Sequence, residues 1–203
     1  MTPISHPTSA LENYTQDYSD LFKDKRLFTG FQATITGILA PQGTPATTGA
    51  LTITSTGRLE LRPGDTLTIG GAVTLAGNLD IIAPPGLNPG SSYTILNKTT
   101  AGAISGNFLG KPEASTFTAS GYNWQITYLG GNGNDTVISL LTAAQTWRQI
   151  HFGTTENSGN AADTFDSNND GETNLIEFAT GQSPHTASLA SISLLSAPGS
   201  MLD

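Results

Sequence analysis

The chain contains no cysteine, which excludes disulfide staples, zinc–thiolate sites and cysteine nucleophiles. No stretch reaches the roughly 18 apolar residues that a membrane-spanning helix requires, so no transmembrane segment is expected. Charge is scarce: Asp, Glu, Lys and Arg make up 12% of the residues, against about 25% in ordinary globular domains. A soluble helical bundle, whose outer faces are dense in Lys and Glu, is a poor fit to that composition. Basic residues stop altogether at Arg148. Residues 149–203 hold seven acids and no Lys or Arg, whereas 1–148 hold nine acids against eight bases. The net charge of −8 therefore belongs to one C-terminal segment. Its sign is opposite to the one phosphate neutralisation needs, and no nucleic-acid partner is expected. A cation is the natural partner.

What the chain has in quantity is Thr, at 30 residues, and Gly, at 23. Thr suits a half-buried pleated surface and Gly supplies turn conformations, which together point to an all-β body of short strands. Period-two alternation runs through Leu51/Ile53, Leu59/Leu61, Leu67/Ile69, Val73/Leu75 and Leu79/Ile81, so each segment reads as a strand with one buried face. Between them lie Gly57, Pro63-Gly64-Asp65, Gly70-Gly71 and Gly77-Asn78. The first apolar positions advance by eight, eight, six and six residues, room for a short strand and a tight corner. That spacing predicts a β-solenoid. A sandwich, the competing architecture, prefers about 8–12 residues per strand. Further strands are expected at 92–96, 123–129 and 135–141, where the aromatics gather.

Four zones follow. Residues 1–29 form a lead-in, expected to be partly helical. Residues 30–141 form the β body. Residues 142–183 hold a helix, an acidic loop and a second helix, and 184–203 form a tail or the start of another module. Met1–Phe28 lacks an apolar stretch of signal-peptide length. The expectation is an internal piece of a longer protein.

Several motifs in the body resemble the autotransporter-associated β-strand repeat of bacterial surface and secreted proteins. They are Gly37-Ile38-Leu39-Ala40-Pro41, Gly49-Ala50-Leu51-Thr52-Ile53 and Pro89-Gly90-Ser91-Ser92-Tyr93-Thr94-Ile95-Leu96. Ile104-Ser105-Gly106-Asn107-Phe108 and Tyr128-Leu129-Gly130-Gly131-Asn132-Gly133-Asn134-Asp135 complete the series. The resemblance implies the C-terminal end of a right-handed parallel β-helix in a structural or adhesive passenger, located extracellularly or at the bacterial cell surface. Gly130–Ile138 also reads as one copy of the calcium-binding nonapeptide of repeat toxins. That motif binds between tandem turns, and a lone copy reads more simply as a glycine turn leading into a strand.

The acidic segment is more specific. Asp166-Ser167-Asn168-Asn169-Asp170-Gly171-Glu172-Thr173-Asn174-Leu175-Ile176-Glu177 matches the EF-hand loop pattern D-x-[DN]-x-[DN]-G-x₅-E without a gap. Ca²⁺ takes about six to eight oxygens at about 2.3–2.6 Å, more than one carboxylate can offer. Side chains of Asp166, Asn168 and Asp170 are placed to converge, Gly171 allows the sharp turn, and Glu172 offers its backbone carbonyl. Asn174 contacts the ion directly or through water, and Glu177 closes the site with both oxygens. The alternative is an Asn/Asp-rich turn capping a helix, which accounts for Asn174 and Glu177 but not for the acids at 166 and 170 or the glycine.

Residues 147–181 resemble dockerin and thrombospondin type 3 calcium loops. The fold expectation is thus all-β, a right-handed parallel β-helix end with a small helical calcium-loop module. Helices are expected at Thr142–Phe152, with Trp147, Ile150 and Phe152 on one side, and around Leu175, Ile176, Phe178 and Ala179, stopped by Gly181 and Pro184.

No nucleophile-elbow, zinc-protease or phosphate-loop pattern occurs. His6, His151 and His185 are scattered, and Arg58, Glu60 and Arg62 read as a solvated ion-pair group. The expected function is a non-catalytic structural or adhesive segment with one calcium-stabilised loop, whose partners are calcium and a surface polysaccharide or protein. The alternatives are the non-catalytic end of a β-helical polysaccharide-degrading enzyme, and a calcium-dependent protein-docking module.

Overall fold

The computed structural model describes residues 32–41 and 47–190. The expectations for the 1–29 lead-in, for His6 and for 191–203 of the tail lie outside the described residues. The chain divides into two units at Leu140/Leu141.

Alternation dictates the first unit. β1 (Gln32–Ile35), β2 (Ile38–Leu39) and β3 (Thr47–Thr48) are followed by β4 (Ala50–Ile53), β5 (Arg58–Leu61) and β6 (Leu67–Ile69). Next come β7 (Val73–Leu75), β8 (Asn78–Ile81), β9 (Ser92–Lys98) and β10 (Ser105–Gly106). Each strand pairs in parallel with the third strand after it, giving sheets β1-β4-β7-β10 and β2-β5-β8 and the parallel part, β3-β6-β9, of a third. The register places like on like: Leu51 on Val73, Ile53 on Leu75, Leu59 on Leu79, Leu61 on Ile81. All of these are buried in one core, because in-register pairing keeps every second side chain on the same face.

The corners bring backbones into contact. A Cβ on Gly57 would lie 2.3 Å from the Ile35 carbonyl oxygen, and one on Gly77 would lie 2.2 Å from that of Gly57. Only glycine admits this approach. Outside the core, Arg58 reaches across to Asp80 on the neighbouring strand, where the sequence pattern pairs it with Glu60 along its own strand.

Beyond β10 the direction changes. β11 (Thr116–Ala119), β12 (Tyr122–Gly130) and β13 (Asp135–Leu140) form an antiparallel meander that joins β9, making the third sheet β11-β12-β13-β9-β6-β3. This overturns the expected right-handed parallel β-helix over 30–141. The described residues are mainly β, with parallel and mixed sheets, and show no closed solenoid. The cause is turn chemistry. Ser120 and Gly121 at φ 50° and 77°, and Gly131 and Gly133 at φ 57° and 88°, make short hairpins, and a hairpin can only return antiparallel.

The aromatics pack here. Phe108, Trp124 and Tyr128 are buried, with Trp124 edge-on to Tyr93 and Tyr122. Tyr128 Oη accepts from the Phe108 N–H at 3.0 Å and donates to the Lys111 carbonyl at 2.7 Å. Burial pushes this phenol up to about 12, with the Glu113 charge adding to the rise and the Phe108 N–H opposing it.

The expected C-terminal helical module is also not supported. The second unit holds α1 (Ala143–Phe152), a 3₁₀ turn (Gly159–Ala161) and α2 (Asn174–Thr180), separated by turns and bends. The intervening residues are rich in Asn, Asp, Ser and Gly, whose side chains compete for the backbone and favour turns over helix.

Two outcomes are expected. Gly77→Ala should cost about 1–3 kcal/mol in denaturant unfolding; an unchanged midpoint would show that the corners tolerate a methyl group. Tyr128→Phe should cost about 1–3 kcal/mol by leaving the Phe108 N–H unpaired. Because the Tyr128 pKa is raised on folding, its contribution is complete below the unfolded value of 10.0 and is lost as pH rises through about 12. Alkaline unfolding monitored by circular dichroism should show that loss in the wild type and not in Tyr128→Phe.

Candidate metal centre

The second unit is framed by polar anchors. Thr142 opens α1 with a capping box, its hydroxyl accepting from the Gln145 N–H while the Gln145 side chain accepts from the Thr142 N–H. Gly153 closes that helix in the left-handed conformation, and Gly181 closes α2 in the same way. Buried Arg148 pairs with Asp163, whose other oxygen accepts from Asn157 Nδ2 at 2.9 Å. Trp147 meets Phe152 and Phe178 at ring separations of 5.7 and 5.9 Å. Ile150, expected beside Trp147, is instead exposed.

α2 exposes Leu175 and Ile176 and buries Asn174 and Glu177. Leu175 and Ile176 face outward while the polar pair finds partners inside. Asn174 Nδ2 donates to the carbonyls of Asn160 and Ala162 at 2.9 and 2.8 Å, and the Asn174 N–H donates to the Phe165 carbonyl at 2.8 Å. Asn174 therefore ties the 3₁₀ turn to α2, while its Oδ1 is buried without a partner.

The loop wraps upon itself ahead of α2. Asp166 accepts from the N–H groups of Asn169 and Gly171 at 2.7 and 2.9 Å. Asn168 Oδ1 accepts from the Asp170 N–H at 3.0 Å, and its Nδ2 donates to Glu177 Oε1 at 2.8 Å. Asp170 accepts from the N–H groups of Glu172 and Ser188, both at 2.9 Å. Asn169 and Gly171 hold φ of 59° and 98°, left-handed values that reverse the chain twice within three residues.

Of the six residues assigned from the sequence, Asn168 meets Glu177 directly, while the Asp166 and Asp170 carboxylates are held by backbone N–H groups. The Glu172 side chain turns away, accepting from Gln182 Nε2 at 2.8 Å and the Ala190 N–H at 2.9 Å, and Asn174 serves the 3₁₀ turn. Among the described residues, no three His, Asp or Glu side chains hold a metal-ligating arrangement by themselves.

Glu177 is the telling member. It is fully buried, and its Oε2 has no hydrogen-bond partner. Burial raises its pKa, the Asp170 charge raises it further, and the Asp166 and Glu172 charges add to this, with only the Asn168 amide opposing. Asp170 is shifted the other way, chiefly by the Glu172 N–H and then by the Ser188 N–H. A buried, half-partnered carboxylate among other carboxylates is a site that a hard cation would satisfy, and the donor set is all oxygen, as calcium prefers.

The Gly130–Asp135 turn does something else. Asp135 Oδ1 accepts from the Lys98 N–H at 2.8 Å, and Asn134 Nδ2 donates to the carbonyls of Lys98 and Thr100 at 3.2 and 2.7 Å. Buried Lys98 spends its ammonium on the carbonyls of Thr100, Ala101 and Gly102 at 2.6–2.9 Å. The polar residues of this turn clasp the 98–102 loop.

No family model matches the chain, and no curated protein or solved structure matches it.

The Glu177 shift has a testable sign. Its raised pKa means that the protonated form favours folding, so this contribution is complete below the unfolded value of 4.5 and is lost as pH rises through the folded one. In excess chelator, Glu177→Gln should melt at or above the wild-type temperature at pH 7, the difference closing below pH 4.5. A lower melting temperature for the variant at pH 7 would contradict the assignment.

Proposed function

We propose that this chain is a non-catalytic structural or adhesive segment of a bacterial surface or secreted protein, stabilised by one calcium ion in the 166–177 loop. The observation that carries the reading is the buried Glu177 carboxylate with its unpartnered Oε2. When bound, calcium supplies positive charge and a coordination shell that draws oxygens into one arrangement. Asp166, Asn168 and Asp170 orient toward it from the loop, the Glu172 backbone carbonyl is the donor at position seven, and Glu177 closes from α2. The second unit gains from this because its own core is small: an aromatic group around Trp147 and one buried ion pair. Too little apolar area is buried there to hold two short helices unaided. Metal binding would supply part of the folding free energy of this unit. Calcium-rich surroundings outside the cell suit that role.

Calorimetric titration of calcium into the chelator-stripped chain should show saturable binding at one site, abolished by Asp166→Ala with Glu177→Ala. The melting temperature of the second unit should rise with calcium and be unmoved in the double variant. Absence of binding would overturn the reading.

A further inference from the structure

The twelve-residue loop accounts for only part of what its side chains hold. The segment 182–190 crosses it as a strap of mostly exposed residues, and the anchors it makes to the loop are polar. The Ser188 N–H donates to Asp170 Oδ2, the Ala190 N–H to Glu172 Oε1, and Gln182 Nε2 to Glu172 Oε2, at 2.8–2.9 Å. Ser188 Oγ donates to Gln182 Oε1 at 2.7 Å and closes the strap on itself. At its start Pro184 is buried, and His185 Nε2 meets the His151 carbonyl at 2.9 Å.

Two features tie the strap to cation occupancy. Asn168 Nδ2 donates both to Glu177 Oε1 and to the Thr186 carbonyl, at 2.8 and 3.1 Å, so one donor stands between the buried carboxylate and a strap oxygen. Glu177 is fully buried with Oε2 unpartnered, an orphaned polar atom that a ligand would satisfy. Asp166, Asp170, Glu172 and Glu177 have no Lys or Arg after Arg148 to offset them, and Arg148 is taken by Asp163. Without a cation, their repulsion falls on the same carboxylates that hold the strap.

We infer that 182–190 is a cation-dependent strap: calcium in the loop fixes Asp170 and Glu172 to receive the Ser188 and Ala190 amides, and the Thr186 carbonyl adds an oxygen to the site from outside the loop. This rests on the calcium reading above. Glu172 divides its work, its backbone carbonyl serving the ion and its side chain serving the strap. Because coupling is reciprocal, the strap tightens calcium binding by the factor with which calcium closes the strap.

Amide hydrogen exchange of the full chain, with calcium alone as the probe and calorimetry in parallel, tests this. Calcium should slow exchange at Ser188 and Ala190 by about tenfold or more relative to chelator. Glu172→Ala should still bind calcium, about 5- to 100-fold more weakly, with that protection lost. Ser188→Pro removes a strap N–H without touching any loop residue, and it should weaken binding in the same direction. Saturable calcium binding with unchanged or faster exchange across 182–190 would overturn the strap alone, as would wild-type affinity in both variants. Absence of calcium binding in the unaltered chain would overturn the calcium reading and the strap with it.

Discussion

A carboxylate that is fully buried and only half hydrogen-bonded is an unstable arrangement unless something else completes it, and the second unit is organised around one such group, Glu177. Burying a charge without a partner costs far more than burying a neutral polar group. Burial raises the pKa of Glu177, and a bound cation would offset the same cost. The neighbouring groups are tied to the loop and to the 3₁₀ turn. Asn168 holds one Glu177 oxygen, Asp166 and Asp170 are steadied by backbone N–H groups of the loop, and Asn174 fixes the start of α2 to the 3₁₀ turn. Apolar packing plays the smaller part, which is why Leu175 and Ile176 are left outside.

The first unit rests on a different constraint, in-register stacking of short strands. Leu on Leu and Ile on Leu repeat from strand to strand because parallel pairing preserves the face each residue occupies. The corners must then approach as closely as the strands do, and Gly57 and Gly77 are where a side chain would strike the next backbone. The stacking gives way after β10, where hairpin turns replace corners and Trp124, Phe108 and Tyr128 fill the core.

The alternation at 51–81 marks strands and buried faces because both follow from local geometry, a period of two along an extended chain. It says less about what each strand pairs with. Strands are also legible at 92–96, 123–129 and 135–141, yet 123–129 and 135–141 pair antiparallel, and 92–96 pairs parallel on one side and antiparallel on the other. The signals of that change are Ser120-Gly121 and the glycines at 131 and 133, whose positive φ values are a local property with a long-range consequence. In the second unit the loop pattern was visible from donor types and spacing. The turning away of Glu172, the service of Asn174 to the 3₁₀ turn and the anchoring of 182–190 were not, since each depends on a group ten or more residues distant.

The sequence by itself determined the alternating strands at 51–81, the glycine-rich points where the chain turns between them, which segment carries the negative charge, and the donor types and spacing at 166–177. These are properties of neighbours along the chain, set by backbone period, turn chemistry and residue charge. Tertiary structure alone decided that the sheets are parallel and mixed, that α2 buries its polar residues, and that Glu177 lacks a partner for one oxygen. The reason is that pairing and burial are settled by segments far apart in sequence competing for the same faces and the same hydrogen bonds, and no local pattern encodes which of them wins.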